Sequence, residues 1–517
     1  NALKLKLIHL STEDWRQLNE TPITNMFDLE RIPATRSNAS VWSVQADYQA
    51  PFDFNFHAQL DFLNSETKSY DPNFGDDFML YYDSAAVRAK GLTWDSPIPR
   101  YYDSKYLDPP SFYIHSFRFR GTGEVISEYS KMKEDHVTFS GFLRRKLYSH
   151  DLTFGFETQQ RTIRLFDISS VYNYISHYSN QGETFSNMSH WQNDSLLSNA
   201  GVNGFGYDAA GNEVNSTTET YDAPRKPRRT SVYVEDHFEM DRIRFQLGMR
   251  YVKFTTDALT FTQPEDIYFE WNSFRYLPLT SVKKITPTEY FLPRIALEFH
   301  PKERIRFFLN WGQYAQHVRY SDFYASRTYL DYHVMWLTEV YFLTEDLLAF
   351  DTKPVKSEQT TFGINYNRKD LNFQLTAFLK RMTGHLEADL QKTTPASSHW
   401  HYEILKNSGD ATAKGIELNA RFHKNGFGAQ LNYTLSDVRG QNSYSSSNIL
   451  DIVRDEQNLS KTRPQSRLEY NQRHRGMALL AYQFNADAPA LFRNVSASVL
   501  FHFNSGHNFT IYDGGFG

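Results

Sequence analysis

The stretch Asp53-Phe54-Asn55-Phe56-His57-Ala58-Gln59-Leu60-Asp61-Phe62 decides how the rest of the chain is read. Its even-numbered positions are apolar and its odd-numbered positions polar, so an extended chain here has one greasy face and one wet face. The pattern recurs. Ile243, Phe245, Leu247, Met249 and Tyr251 alternate with Arg244, Gln246, Gly248 and Arg250. The same split runs through Ile305, Phe307, Leu309 and Trp311, and through Leu371, Phe373, Leu375, Ala377 and Leu379. It appears again in Phe427, Ala429, Leu431, Tyr433 and Leu435, and in Val495, Ala497, Val499, Phe501 and Phe503. A helix would bring its apolar face round with a period near 3.6 residues, and these segments repeat every second residue.

Two kinds of connection alternate between these segments. Residues 49–52, 148–151, 239–242, 300–303, 367–370 and 423–426 are short, and most are rich in Asp, Asn, Gly, Pro, Lys or His, as hairpin turns are. Residues 64–110, 167–229, 255–288, 315–357, 383–413 and 436–473 are long. The asymmetry predicts an all-β chain forming one large antiparallel transmembrane β-barrel, with short periplasmic turns and long extracellular loops. About 17 strands are expected between Ala2 and Phe503, the weakest being 111–120, with aromatics on both parities, and 124–131, which barely alternates. A soluble sandwich or propeller also alternates. Strand lengths near those that cross a bilayer, and the regular asymmetry of the connections, favour the barrel.

The composition agrees with this reading. The 517 residues include 82 aromatics (41 Phe, 33 Tyr, 8 Trp) and no cysteine, with 55 basic against 60 acidic side chains. The mean hydropathy of -0.59 is the average of a greasy and a polar parity. No apolar run approaches the roughly 18 residues of a transmembrane helix, which excludes that element and says nothing against a barrel. Without cysteine there are no thiolate metal sites, disulfides or cysteine nucleophiles. The charge balance offers no polybasic footprint for nucleic acid. No GxSxG, HExxH or P-loop pattern occurs, so a catalytic reading has no anchor and no cofactor is implied. The opening Asn1 to Leu10 alternates Leu with Lys and does not resemble a signal peptide; a removed leader or an internal start is expected.

Several segments resemble a known family. Thr230-Ser231-Val232-Tyr233-Val234-Glu235-Asp236, a turn, and then Leu247-Gly248-Met249-Arg250-Tyr251 looks like a hairpin of TonB-dependent outer-membrane receptors. So do Leu292-Pro293-Arg294-Ile295-Ala296-Leu297, and Asn407-Ser408-Gly409-Asp410-Ala411 followed by Lys414-Gly415-Ile416-Glu417-Leu418. Arg473-His474-Arg475 and Phe503-Asn504-Ser505-Gly506-His507-Asn508-Phe509-Thr510 are similar to positions of the Oar-like receptors in particular. The resemblance implies a barrel of the 22-stranded type in the bacterial outer membrane, filled by a plug domain that contacts the energy-transducing protein TonB. It implies active uptake of a large scarce solute: a siderophore, an oligosaccharide or a peptide. A plug and about five strands of such a barrel are not recognisable in the chain, so residues 1–517 are expected to be an incomplete barrel domain. The alternative is a barrel without transport of its own, a binding or assembly subunit working with a surface lipoprotein or secretion partner.

Parity nominates candidate site residues. Arg250, Arg294, Glu417 and Arg421 fall on the lumen-facing side, where they would hold a plug, steer a solute, or simply make the wall polar. Trp42 and Trp311 fall on the outward parity, as girdle residues in contact with outer-membrane lipid do. Trp15, Trp94, Trp191, Trp271, Trp336 and Trp400 are assigned to loops. Of these, Trp94, Trp191, Trp336 and Trp400, with Tyr101 and Tyr102, are candidates to stack on the solute; Tyr81, Tyr82, Tyr172, Tyr174 and Tyr178 stand nearby. Loop aromatics also pack loops together. His399-Trp400-His401 offers two imidazoles but no complete ligand set. Asp71-Pro72-Asn73-Phe74-Gly75-Asp76-Asp77 spaces oxygen donors somewhat like a calcium loop, without the closing Glu, so no metal site is expected. Gly201 to Gly206 lacks the strand and helix of a phosphate loop.

Overall fold

The computed structural model describes residues 2–17, 23–93, 111–121, 124, 128–181, 196–197, 200–217, 221–265, 270–271, 275–276, 279–320, 324–326, 353–392, 401–444, 465–484, 489, 491–493 and 495–508. Among them one sheet of seventeen strands dominates. Its long members in chain order are β1 (Ala2–Gln17), β2 (Ala34–Ala50), β3 (Phe54–Tyr70), β4 (Tyr129–Leu147) and β5 (His150–Ile168). They continue with β6 (Arg228–Met240), β7 (Ile243–Thr255), β8 (Thr288–Lys302), β9 (Ile305–Gln316) and β10 (Val355–Arg368). The series ends with β11 (Leu371–Lys392), β12 (His401–Lys424), β13 (Phe427–Gly440), β14 (His474–Gln483) and β15 (Ser496–Asn504). Each pairs antiparallel with the next, making a meander. Val202–Phe205 and Ser466–Arg467 add short strands at the tops of β5 and β13.

The six short connections are tight turns. Asp53, Asp241 and Asn425 take positive φ, which their short polar side chains tolerate, and Phe52 and Tyr148 take it as well. Asn425 (φ 51°) and Gly426 (φ 81°) together make the mirror-image turn whose twist matches paired strands.

Facing follows the alternation. Phe56, Leu60 and Phe62 on β3 register with Leu143, Phe139 and Val137 on β4, so the apolar parities of neighbouring strands share one face. Along the middle of the strands that face has no core over it among the described residues: Phe154 and Phe362 are 57% and 54% exposed, and Phe62, Leu247 and Ile416 are exposed with them. An apolar belt left uncovered around a meander is a lipid-facing surface. On the opposite face, small residues admit aromatic rings lying across the ladder. A Cβ built at Gly155 collides with the Tyr233 ring, and one at Gly415 with the Phe378 ring and the Leu435 carbonyl.

The structure departs from the sequence expectation in three places. Residues 383–413 are not a long loop: β11 and β12 extend through most of them, joined by residues outside the described set. The register of this pair slips between Thr383 and Leu386, beside Gly384 at φ 79°. Such a bulge exchanges the two faces and breaks the alternation. Residues 111–120 do not join the large sheet; Ser111–Ile114 and Phe117–Arg120 form a separate hairpin, and β4 begins only at Tyr129. Trp15 lies in β1, not in a loop.

Candidate functional site

The inner wall is built from the polar parity. Arg250 projects from β7, where Glu157 of β5 and Ser231 of β6 meet it: its Nη2 donates to Ser231 Oγ at 2.9 Å and lies 3.4 Å from Glu157 Oε2. Arg229 Nη2 donates to Glu157 Oε1 at 2.6 Å. Four residues further along β5, Arg161 Nη1 donates to Glu134 Oε1 at 2.9 Å. Arg250 lies over the Tyr233 ring at 5.5 Å and Arg161 over Tyr320 at 5.3 Å. Arg294 on β8 lies over Tyr314 of β9 at 4.6 Å. The four wall candidates are not one cluster. Arg294 registers with Gly248, beside Arg250, whereas Glu417 and Arg421 stand further round the sheet on β12, exposed, between Thr376 and Thr434 and between Asn372 and Gln430. Arg161, Arg229, Glu134 and Glu157 were missed as candidates, although extending the alternation through β4, β5 and β6 places each of them on the polar parity.

Above this wall the loops pack. Ile163 of β5, Leu386 and Ala388 of β11 and Leu405 of β12 meet Phe205, Ala258, Ile285 and Tyr324 in one buried cluster. β5 and β11 are not neighbours in the sheet, and this cluster joins their upper ends, together with loop side chains, into a roof. Tyr320 packs against this roof, its ring stacked on Tyr324 at 5.4 Å. His317, just past β9, packs its ring against Phe254 and receives or gives a hydrogen bond with the Tyr290 hydroxyl at 2.8 Å. Burial there, with the nearby Arg229 charge, pushes its imidazole down to about 4.

A second cluster covers the other face of the strand tops. Phe166 and Ile168 of β5 and Tyr129 of β4 pack with Phe74, Phe78, Tyr81, Tyr82, Val171, Tyr174 and Tyr207. Tyr81, Tyr82 and Tyr174 are therefore loop-packing residues, with no ring surface open to a solute. Tyr172 meets Tyr82 edge-on at 5.3 Å. Trp94, Tyr101, Tyr102, Trp191, Trp336 and Trp400 lie outside the described residues, as does His399; the side chains of Tyr178, Trp271 and His401 do as well. Gly201 to Gly206 is the short strand Val202–Phe205 with a positive-φ glycine at each end.

The segment with calcium-loop-like spacing has another use. Arg31, from the loop after β1, reaches Asp71 with Nε to Oδ2 at 2.5 Å, and both side chains are almost fully buried. Arg31 Nη2 donates to the Tyr81 carbonyl at 2.8 Å, and the guanidinium lies over Phe74 at 5.2 Å. Asp76 accepts from Lys68 Nζ at 2.7 Å and from the Tyr129 hydroxyl at 2.8 Å. Both carboxylates are committed to protein donors, which close this loop onto its neighbours.

An antiparallel meander with a lipid-facing belt, a charged inner wall and a loop-packed mouth defines a large outer-membrane barrel. Residues 31–515 match the family described as TonB dependent receptor-like, beta-barrel, and the chain belongs to it. This is a family of outer-membrane transport barrels and not of enzymes. Among curated proteins, none matches the chain. Solved structures share the fold. The outer-membrane transporter YddB from Escherichia coli is 10% identical with a TM-score of 0.53, over 97% of this chain and 59% of that one. The FrpB iron transporter from Neisseria meningitidis (F5-1 variant) is 13% identical at 0.50, over 96% and 57%. The hemophore receptor HasR of Serratia marcescens, solved with its hemophore HasA and heme, is 12% identical at 0.50, over 98% and 62%. The chain thus spans less than two thirds of the length of these proteins.

Proposed function

We propose that the chain is the wall of a receptor that takes a large, scarce solute, such as a siderophore, an oligosaccharide or a peptide, across the outer membrane with energy from a TonB-type complex. The family match over residues 31–515 carries this reading. The charged inner wall supports it, since a polar lining gives a hydrated solute a path that lipid-facing side chains would not. In this reading a plug domain and about five further strands of the complete barrel lie outside residues 1–517, and the plug makes the contact with TonB. Within the family, the segments Arg473-His474-Arg475 and Phe503 to Thr510 support a place among the Oar-like receptors.

The test is accumulation of labelled siderophores, oligosaccharides and peptides by cells carrying the full-length receptor, with and without functional TonB. Uptake of one class that requires TonB is the expected result. Accumulation that does not respond to loss of TonB rejects energised transport. Binding without uptake, together with a co-purifying surface lipoprotein, replaces it with an assembly subunit.

A further inference from the structure

Arg161, Arg229 and Arg250 converge on one part of the inner wall, directly below the apolar roof. The carboxylates in contact with them are Glu134, paired with Arg161, and Glu157, shared by Arg229 and Arg250. Asp61 stands on the same face, on β3, where it accepts from Gln59. Three guanidinium groups thus contact two carboxylates. Nearer the periplasmic turns on the same face, Arg244 has Glu239 at 3.0 Å and Arg306 has Glu298 at 3.1 Å. Arg294 extends the cationic row from the adjoining strand, with no carboxylate within ion-pair distance among the described residues.

Two further observations point to an absent acceptor. The Nε atoms of Arg161 and Arg250 are shielded from solvent and have no hydrogen-bond partner among the described residues. The guanidinium carbons of the same two residues lie 5.3 and 5.5 Å from the ring centroids of Tyr320 and Tyr233, contacts that help hold their orientation. The three side chains keep 27%, 39% and 32% of their surface, so the group is reachable from the lumen. Oriented guanidinium forks with spare donors match the two-oxygen geometry of carboxylate and phosphate groups.

We propose that Arg161, Arg229 and Arg250 form an anion-binding station beneath the mouth, which receives a carboxylate or phosphate group of the transported solute after it has passed the loop cluster. The proposal rests on the uptake reading and narrows its substrate class to anionic solutes. Tyr290 and Tyr320 flank the station as neutral aromatic walls, and the roof above it slows exchange with outside water. The same oxyanion chemistry is available to an acidic side chain of a protein segment filling the lumen, and the experiment separates that occupant from a solute.

The probe is citrate, titrated calorimetrically at low ionic strength into the purified full-length receptor, with the neutral sugar maltotriose as control. Saturable citrate binding is expected, weakened at least about tenfold in Arg161→Gln/Arg229→Gln and unchanged in Arg244→Gln, whose arginine sits by a periplasmic turn. Arg161→Lys/Arg229→Lys keeps the charge and loses the fork, so it should bind with intermediate strength. Heat-modifiable migration confirms that each variant is folded. Equal binding by wild type and the Gln variant overturns the proposal. So does a wild type that ignores citrate, which is the result expected if an acidic protein segment already occupies the station. Binding needs no energy source, so citrate binding retained where TonB-dependent uptake fails rejects the uptake reading and leaves the station standing.

Discussion

Arg31 and Asp71 lie forty positions apart and bury a full charge each, with nothing between them but a hydrogen bond. Removing one partner from such a pair strands the other charge in a low-dielectric site, which costs about 3–5 kcal/mol. Arg31→Leu is therefore expected to loosen residues 71–87, read as faster amide hydrogen exchange across that segment. Adding Asp71→Leu should restore much of the protection, because two apolar groups carry no stranded charge. Protection unchanged in the single variant would remove the pair from any account of loop packing. Read along the sequence, Asp71 to Asp77 shows only its own oxygen donors. The cation that neutralises Asp71 comes from another loop, so the local spacing pointed to the wrong chemistry.

At the scale of elements, β5 is packed on both faces above the membrane: Ile163 faces the roof and Phe166 and Ile168 face the outer cluster. The segment after β9 packs on the roof through Val318 and Tyr320 and docks on Phe254 of β7 and Tyr290 of β8 through His317, which is held neutral. Undocked, the imidazole has the ordinary value of about 6.5; docked, it lies at about 4. Above pH 6.5 both states are neutral and the shift contributes nothing. As pH falls from 6.5 towards 4 only the undocked state takes a proton, so docking weakens, by up to about 3 kcal/mol in total, and levels off below 4. Hydrogen exchange at residues 317–320 should accelerate over that window, and His317→Phe should flatten the dependence. A wild type with flat exchange from pH 7 to 4 would contradict the assignment. The β11–β12 hairpin shows the limit of pattern reading at this scale. Alternation identified its periplasmic half, and the bulge at Gly384 shifted the parity so that the upper half read as loop.

For the whole molecule the facing of the wall is the testable property. Leu60 registers with Val44 and Phe139 on the apolar face, and Gln59 lies on the other, bonded to Asp61 at 2.9 Å. Leu60→Arg should impair insertion by roughly 2–4 kcal/mol if the residue sits near the bilayer midplane, while Gln59→Arg should be tolerated. Heat-modifiability gels after refolding into lipid give the readout; equal behaviour of the two variants would invert or abolish the facing.

The sequence by itself determined the class of fold, the positions of the short turns and which parity meets lipid. These depend on the two-residue period of a strand and on turn backbone, both encoded within a few neighbouring residues. The tertiary structure alone decided which charges meet. Glu157 serves Arg229 and Arg250 because β5, β6 and β7 are adjacent, and Ile163 shares a buried cluster with Leu386 and Leu405 because long loops bring the upper ends of distant strands together. Strand adjacency and loop packing are set by contacts between distant segments, and no local pattern of side chains records them.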